Sequence, residues 1–165
     1  MEEFIIIRAG VNGGKTTTCG YLYEQLSKTA QYSKLFSLSF NEIRELKYNE
    51  DGGLYDFIGV IIINGKVIII ISQGDVAEDL EKILNKLKDG QLIKKLTDGL
   101  SDIVHFLVVT GRSQMRTNST IMMLHNRIPS DRRKEFWTEK SKDLKDKLKV
   151  KDKIVTQIIK YIGSK

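Results

Sequence analysis

Eight residues near the start of the chain, Ala9-Gly10-Val11-Asn12-Gly13-Gly14-Lys15-Thr16, combine the types needed to hold a chain of phosphates. Glycines let backbone N–H groups approach anionic oxygens with no Cβ in the way. The lysine supplies a mobile cation for the outer phosphates, and the threonine hydroxyl is a hard oxygen ligand suited to magnesium. The flanks fit the same task. Phe4-Ile5-Ile6-Ile7 precedes the stretch and reads as a strand, while Thr17-Thr18-Cys19-Gly20-Tyr21-Leu22 follows it and can open a helix. A helix N-terminus adds unpaired N–H donors and the positive end of its dipole.

Residues 9–16 resemble the Walker A loop of the P-loop NTPase superfamily, with Ala9 at the position where the usual form has glycine and with Gly14, Lys15 and Thr16 in place. The resemblance implies a nucleoside triphosphate, ATP or GTP, bound with magnesium by residues 9–17. Named singly, these are Ala9, Gly10, Val11, Asn12, Gly13, Gly14, Lys15, Thr16 and Thr17. Lys15 would neutralise the transferring phosphoryl group and Thr16 would bind the metal. The activity implied is that of a small kinase-like phosphotransferase. The alternative is a nucleotide-dependent switch or ATPase that acts with a partner or nucleic acid, with weak or no intrinsic hydrolysis. No Asn-Lys-x-Asp element of the small GTPases is found.

Such a site needs a carboxylate at the end of a neighbouring strand, to hold the magnesium or orient a nucleophile. The candidate strand, residues 67–71, ends in Ser72-Gln73-Gly74-Asp75, so Asp75 is the expected metal-side and catalytic carboxylate, arriving late. Its competing role is a helix start with Glu78. Arg112, after another apolar strand, is the expected stabiliser of phosphoryl charge, with Arg116 nearby. Asn41, Glu42 and Asp56 are candidates for contact with a small-molecule acceptor. Arg132 and Arg133 lie where P-loop kinases often carry a closing lid, but two adjacent arginines are more simply solvated. His105 reads as a packed strand residue with a local hydrogen bond, His125 as a helix residue without a matching ligand, and Trp137 as a packing residue or a stacking surface for a base.

The elements that must position these residues follow from pattern. Strand 3–8 and helix 15–30 flank the loop, and a short strand is expected near 35–38, followed by a brief helix or loop at 41–46. Two β-branched runs, 57–63 and 66–72, are separated by Asn64-Gly65, a two-residue turn signal; the second is apolar on both faces, as in a buried central strand. Helices are expected at 75–87, 92–100, 117–127 and 152–162, and a strand at 102–110. Alternation of strand and helix argues for a three-layer α/β fold: a mainly parallel sheet plus one hairpin at or near an edge, with helices on both faces. The hairpin's outer strand, if an edge, leaves pairing into a homodimer open.

The 165 residues suit one domain, and 41% hydrophobic with 29% charged residues excludes a disordered chain. Cys19 is the single cysteine, so neither an internal disulfide nor a cysteine-based zinc site can form. The acidic opening and the lack of a long apolar run imply no signal peptide and no membrane span, hence a cytoplasmic setting. Residues 129–165, a basic helical segment of the same domain, hold 12 Lys+Arg against 6 Asp+Glu and so carry the whole net charge of +6. Such a segment is a candidate for nucleic acid, although interleaved signs are more typical of a solvated helix face.

Overall fold

The computed structural model describes residues 2–9, 14–50, 52–73, 76–112, 119–138 and 144–165, and for residues 9, 112 and 144–150 the backbone alone. Seven strands form one sheet: β1 (Glu3–Ala9), β2 (Tyr32–Phe36), β3 (Glu42–Ile43), β4 (Ile58–Ile63), β5 (Lys66–Ile71), β6 (Phe106–Arg112) and β7 (Arg133–Trp137). The helices are α1 (Lys15–Ser27), α2 (Ala77–Lys86), α3 (Gly90–Leu96), α4 (Thr120–Arg127) and α5 (Leu144–Gly163).

Alternation along β1 decides the layers. Phe4 and Ile6 point to one face of the sheet, where they share a core with Leu80, Leu84, Leu96 and Leu124 of α2, α3 and α4. Ile5 and Ile7 point to the other, among Cys19, Leu22 and Leu26 of α1 and Ile154, Val155 and Ile158 of α5. With period-two side chains buried on both faces, a central strand must be apolar throughout. Val67 to Ile71 meet that demand, each fully buried. Helices therefore cover both faces of an α/β sheet, as expected.

The strand order is β3-β2-β4-β5-β6-β1-β7. The pairs β5·β6, β6·β1 and β1·β7 are parallel, whereas β2·β3, β2·β4 and β4·β5 are antiparallel. The sheet is thus mixed, and the expectation of a mainly parallel sheet holds for one half of it. The Asn64-Gly65 turn forms as its sequence demands, with φ of 51° and 76° at its two central residues. Its hairpin is not at the edge, however. β2 pairs along the whole of β4, which removes the open strand on which a dimer was argued.

Several boundaries differ from the sequence pattern: α5 begins at Leu144 rather than at 152, β6 at Phe106 rather than at 102, α3 covers Gly90–Leu96 rather than 92–100, and β2 covers Tyr32–Phe36 rather than 35–38. The segment after Pro129 holds a strand, β7, hidden because a half-exposed edge strand lacks a continuous apolar run. Of the brief helix or loop expected at 41–46, the structure has the loop, interrupted by the two-residue strand β3. Gly111 and Arg112 complete β6 instead of lying in the loop beyond it.

Candidate functional site

β5, β6, β1 and β7 run the same way, so Ile71, Arg112, Ala9 and Trp137 end along one edge of the sheet. The N-terminus of α1 sits at this edge. Its capping residue is Gly14, at φ 76° and ψ 26°, a left-handed conformation that costs glycine little and other residues more. The Thr18 hydroxyl donates back to the Gly14 carbonyl at 2.8 Å, and the Thr18 N–H reaches the same oxygen at 2.9 Å. This doubled contact fixes the first turn of the helix, from which Lys15 and Thr16 project. Lys15 is buried and Thr16 is half-buried. Gly10, Val11, Asn12 and Gly13 lie outside the described residues.

Among the described residues, the carboxylate at this edge is Asp56. Its Oδ1 accepts a hydrogen bond from the Thr16 hydroxyl at 3.3 Å and one from the Ser72 hydroxyl at 3.2 Å. Ser72 follows the last residue of β5 and is buried; its Oγ in turn accepts the Phe57 N–H at 2.8 Å. Its carbonyl receives the Thr110 hydroxyl of β6 at 3.1 Å. Ser72 therefore occupies the strand-end position at which a carboxylate was expected, and it holds a carboxylate from the adjacent strand. The delivery follows from topology. β4 is antiparallel to β5, with Ile58 opposite Ile71, so β4 begins where the parallel strands end.

Two close approaches seat Asp56 beside Thr16. A Cβ on Gly59 would come within 2.7 Å of the Tyr23 ring, so glycine lets α1 lie tightly on β4. Tyr23 then meets Phe57 edge-to-face at 6.3 Å between centroids. A Cβ on Gly20 would come within 2.6 Å of the Leu54 side chain, and Leu46 and Leu54 pack with the core under α1. The segment between β3 and β4 is thereby laid against the same helix that carries Thr16.

Beneath this cluster Cys19 is fully buried. Burial pushes its thiol up from the ordinary value of 9.0; the Asp56 charge adds to the rise, and Lys15 acts against it. A thiol so placed stays protonated and behaves as a small core residue.

On the far side of β1 a second polar group reaches the same edge. The Arg8 guanidinium lies 3.8 Å from the centre of the Trp137 ring and 3.6 Å from the Glu135 carboxylate. Glu135 also meets His125 Nε2 at 2.5 Å. His125 thus has a partner that the sequence did not suggest, because Glu135 belongs to the unforeseen strand β7. Trp137 is half exposed rather than packed away.

Other expected residues fall elsewhere. Glu42 is bound to Lys34, which also holds Asp98, both at 2.8 Å; these partners raise the Lys34 ammonium pKa, Asp98 most. Glu42 registers with Phe36 of β2, which registers with Ile58 of β4, so β3 lies two strand spacings, roughly 10 Å across the sheet, from the start of β4. Arg132 and Arg133 sit at the opposite edge, where the first donates to the Glu2 carbonyl and the second to the Ile128 carbonyl. They brace the start of β7 and form no lid over the loop. His105 precedes β6 and accepts the Val67 N–H at 3.0 Å, the local bond expected of it. Asp75 and Arg116 lie outside the described residues, as does the side chain of Arg112. The N-cap position of α2 is Val76, so Asp75 stands one residue before the place a capping-box residue would take.

The Thr16 hydroxyl and the Asp56 carboxylate are hard oxygens at contact distance, the donor set magnesium selects. Among the described residues no group of three His, Cys, Asp or Glu side chains could hold a metal without help. A cleft of about 540 Å³ opens at the other edge, between Phe4, Leu107 and Ile128, away from this chemistry. No helix among the described residues is long and apolar enough to cross a membrane. Neither the protein-family models, nor the curated proteins, nor the solved structures compared with this chain give a match.

Proposed function

We propose that this chain binds a magnesium nucleoside triphosphate, ATP or GTP, at the N-terminus of α1 and transfers its outer phosphoryl group in the manner of a small kinase. The observation that carries the proposal is the Thr16–Asp56–Ser72 cluster one residue from Lys15. Thr16 and Asp56 would hold the magnesium, directly or through water, and the ion would neutralise charge on the phosphates. Lys15 contributes a buried cation at the same helix end, where the dipole already favours an anion. Asp56 takes the metal-side role first given to Asp75. Arg112 keeps its proposed role as a stabiliser of developing charge, since its backbone lies on the strand next to β1. An acceptor would approach along the segment leading to Asp56, where Tyr55 is exposed.

The test is a thermal-shift titration with magnesium ATP and GTP, followed by a search for phosphorylated products in a mixture of nucleosides and nucleotides. Nucleotide should raise the melting temperature of the wild type and not that of Lys15→Ala. Loss of a charge-assisted hydrogen bond of about 1.5–3 kcal/mol weakens binding by roughly 10- to 150-fold. Equal shifts in both proteins would remove the assignment of the loop. Phosphate release without transfer would favour the switch or ATPase reading. A dependence on DNA would bring in the basic C-terminal segment, whose helix α5 is itself anchored through Ile154, Val155 and Ile158.

A further inference from the structure

Trp137 is a large aromatic residue left 52% exposed, and it stands at the edge that carries Lys15. One face of its ring is already covered. Arg8, itself buried, places its guanidinium 3.8 Å from the ring centre and 3.6 Å from the Glu135 carboxylate, which His125 engages in turn. The backbone is tied as well, since the Thr138 N–H reaches the Arg8 carbonyl at 2.8 Å. A ring backed in this way loses little freedom when something stacks on its other face.

The position is as informative as the exposure. Trp137 is the registered neighbour of Arg8, one strand spacing from the chain that leads through Ala9 into the glycine loop. The hydroxyl–carboxylate cluster lies on the other side of β1, at the ends of β4 and β5. From β5 to β7 is three strand spacings, roughly 14 Å, with β6 and β1 between them. Arg8 and Trp137 alternate with Ile7 and Phe136 and so belong to the face opposite α1. A ligand with its phosphates at Thr16 and Lys15 would reach the ring by crossing the ends of the parallel strands with its flat, aromatic end.

Resting on the nucleotide reading above, we infer that the open face of Trp137, backed by Arg8, is the stacking platform for the nucleobase. Every base has a π-face, so such a platform accepts ATP and GTP alike and gives no hydrogen-bond readout between them. It also explains why an indole is left in water beside a polar edge, where burial would otherwise favour it.

Trp137 is the single tryptophan of the chain, so indole fluorescence reports on this position alone. The protein is titrated with magnesium ATP and, separately, with magnesium triphosphate, which lacks a base. ATP should quench the emission with the midpoint seen by thermal shift, while triphosphate should bind without comparable quenching. Trp137→Ala should weaken ATP by roughly 5- to 150-fold and leave triphosphate affinity unchanged, which also certifies a folded phosphate site. Trp137→Phe should recover most of the loss. Unchanged ATP affinity in Trp137→Ala, or equal quenching by both ligands, would overturn the platform while leaving phosphate binding intact. If the wild type binds neither ligand, the platform and the nucleotide reading fall together.

Discussion

Replacing Asp56 by Asn keeps the size of the side chain and an oxygen able to accept from Thr16 and Ser72, but it removes one negative charge. Because Asp56 is exposed, the apo fold should barely respond, with a change within about 0.5 kcal/mol. Nucleotide binding should respond in two opposite ways. With magnesium, the carboxylate faces a divalent cation at about 5 Å if one water intervenes. Coulomb's law at a water-like dielectric then gives about 1.7 kcal/mol, and exposure argues against a lower dielectric. Magnesium nucleotide should therefore bind about 20-fold more weakly to the variant. In EDTA the same carboxylate repels the polyphosphate, so metal-free nucleotide should bind the variant as well as or better than the wild type. Isothermal titration with and without magnesium reads both effects. Equal weakening in both conditions would make Asp56 a structural residue, and no change in either would separate it from the nucleotide altogether.

Ser72→Ala leaves the buried Phe57 N–H without its acceptor and should destabilise the fold by about 1–3 kcal/mol, measured by urea unfolding. It should also weaken magnesium nucleotide, because Asp56 loses one of the two hydroxyls that aim it. The raised Cys19 pKa carries a pH prediction with a definite sign. Above 9.0 the unfolded thiol ionises while the buried one stays protonated, so the unfolded state binds fewer protons and stability falls as pH rises. The slope from this group is at most about 1.4 kcal/mol per pH unit, and comparison of wild type with Cys19→Ala between pH 9 and 10 should isolate it. Well below 9.0, where the thiol is protonated in both states, the group contributes no pH dependence.

The parts of the fold legible in the sequence were those whose signals are local. β1, the start of α1 and the two strands on either side of Asn64-Gly65 are written in contiguous apolar runs and turn chemistry. β7 was not legible, because Arg133-Lys134-Glu135-Phe136-Trp137 is half exposed and shows no continuous apolar run. With it went the partners of Arg8 and His125. Lys15 and Thr16 were legible from spacing, but Asp56 lies 40 residues from Thr16 and comes from the start of an antiparallel strand. A search for carboxylates after strand ends passes over it and arrives at Asp75, which lies outside the described residues. The useful signal was Ser72 itself: a hydroxyl at the expected position asks which acid it could hold, and hairpin pairing points to the residues before Ile58.

The Asn64-Gly65 turn lies at the edge of the sheet opposite to Thr16, yet it meters the site. Pairing of β4 with β5 is counted from that turn, residue by residue, until Ile58 meets Ile71 and Asp56 arrives at its hydroxyls. One residue inserted in the turn would move the carboxylate along the strand by about 3.3 Å and exchange the two faces of β4. A surface loop that appears free to vary is thus a ruler, and variation in its length is a change to the site at the other end of the strand.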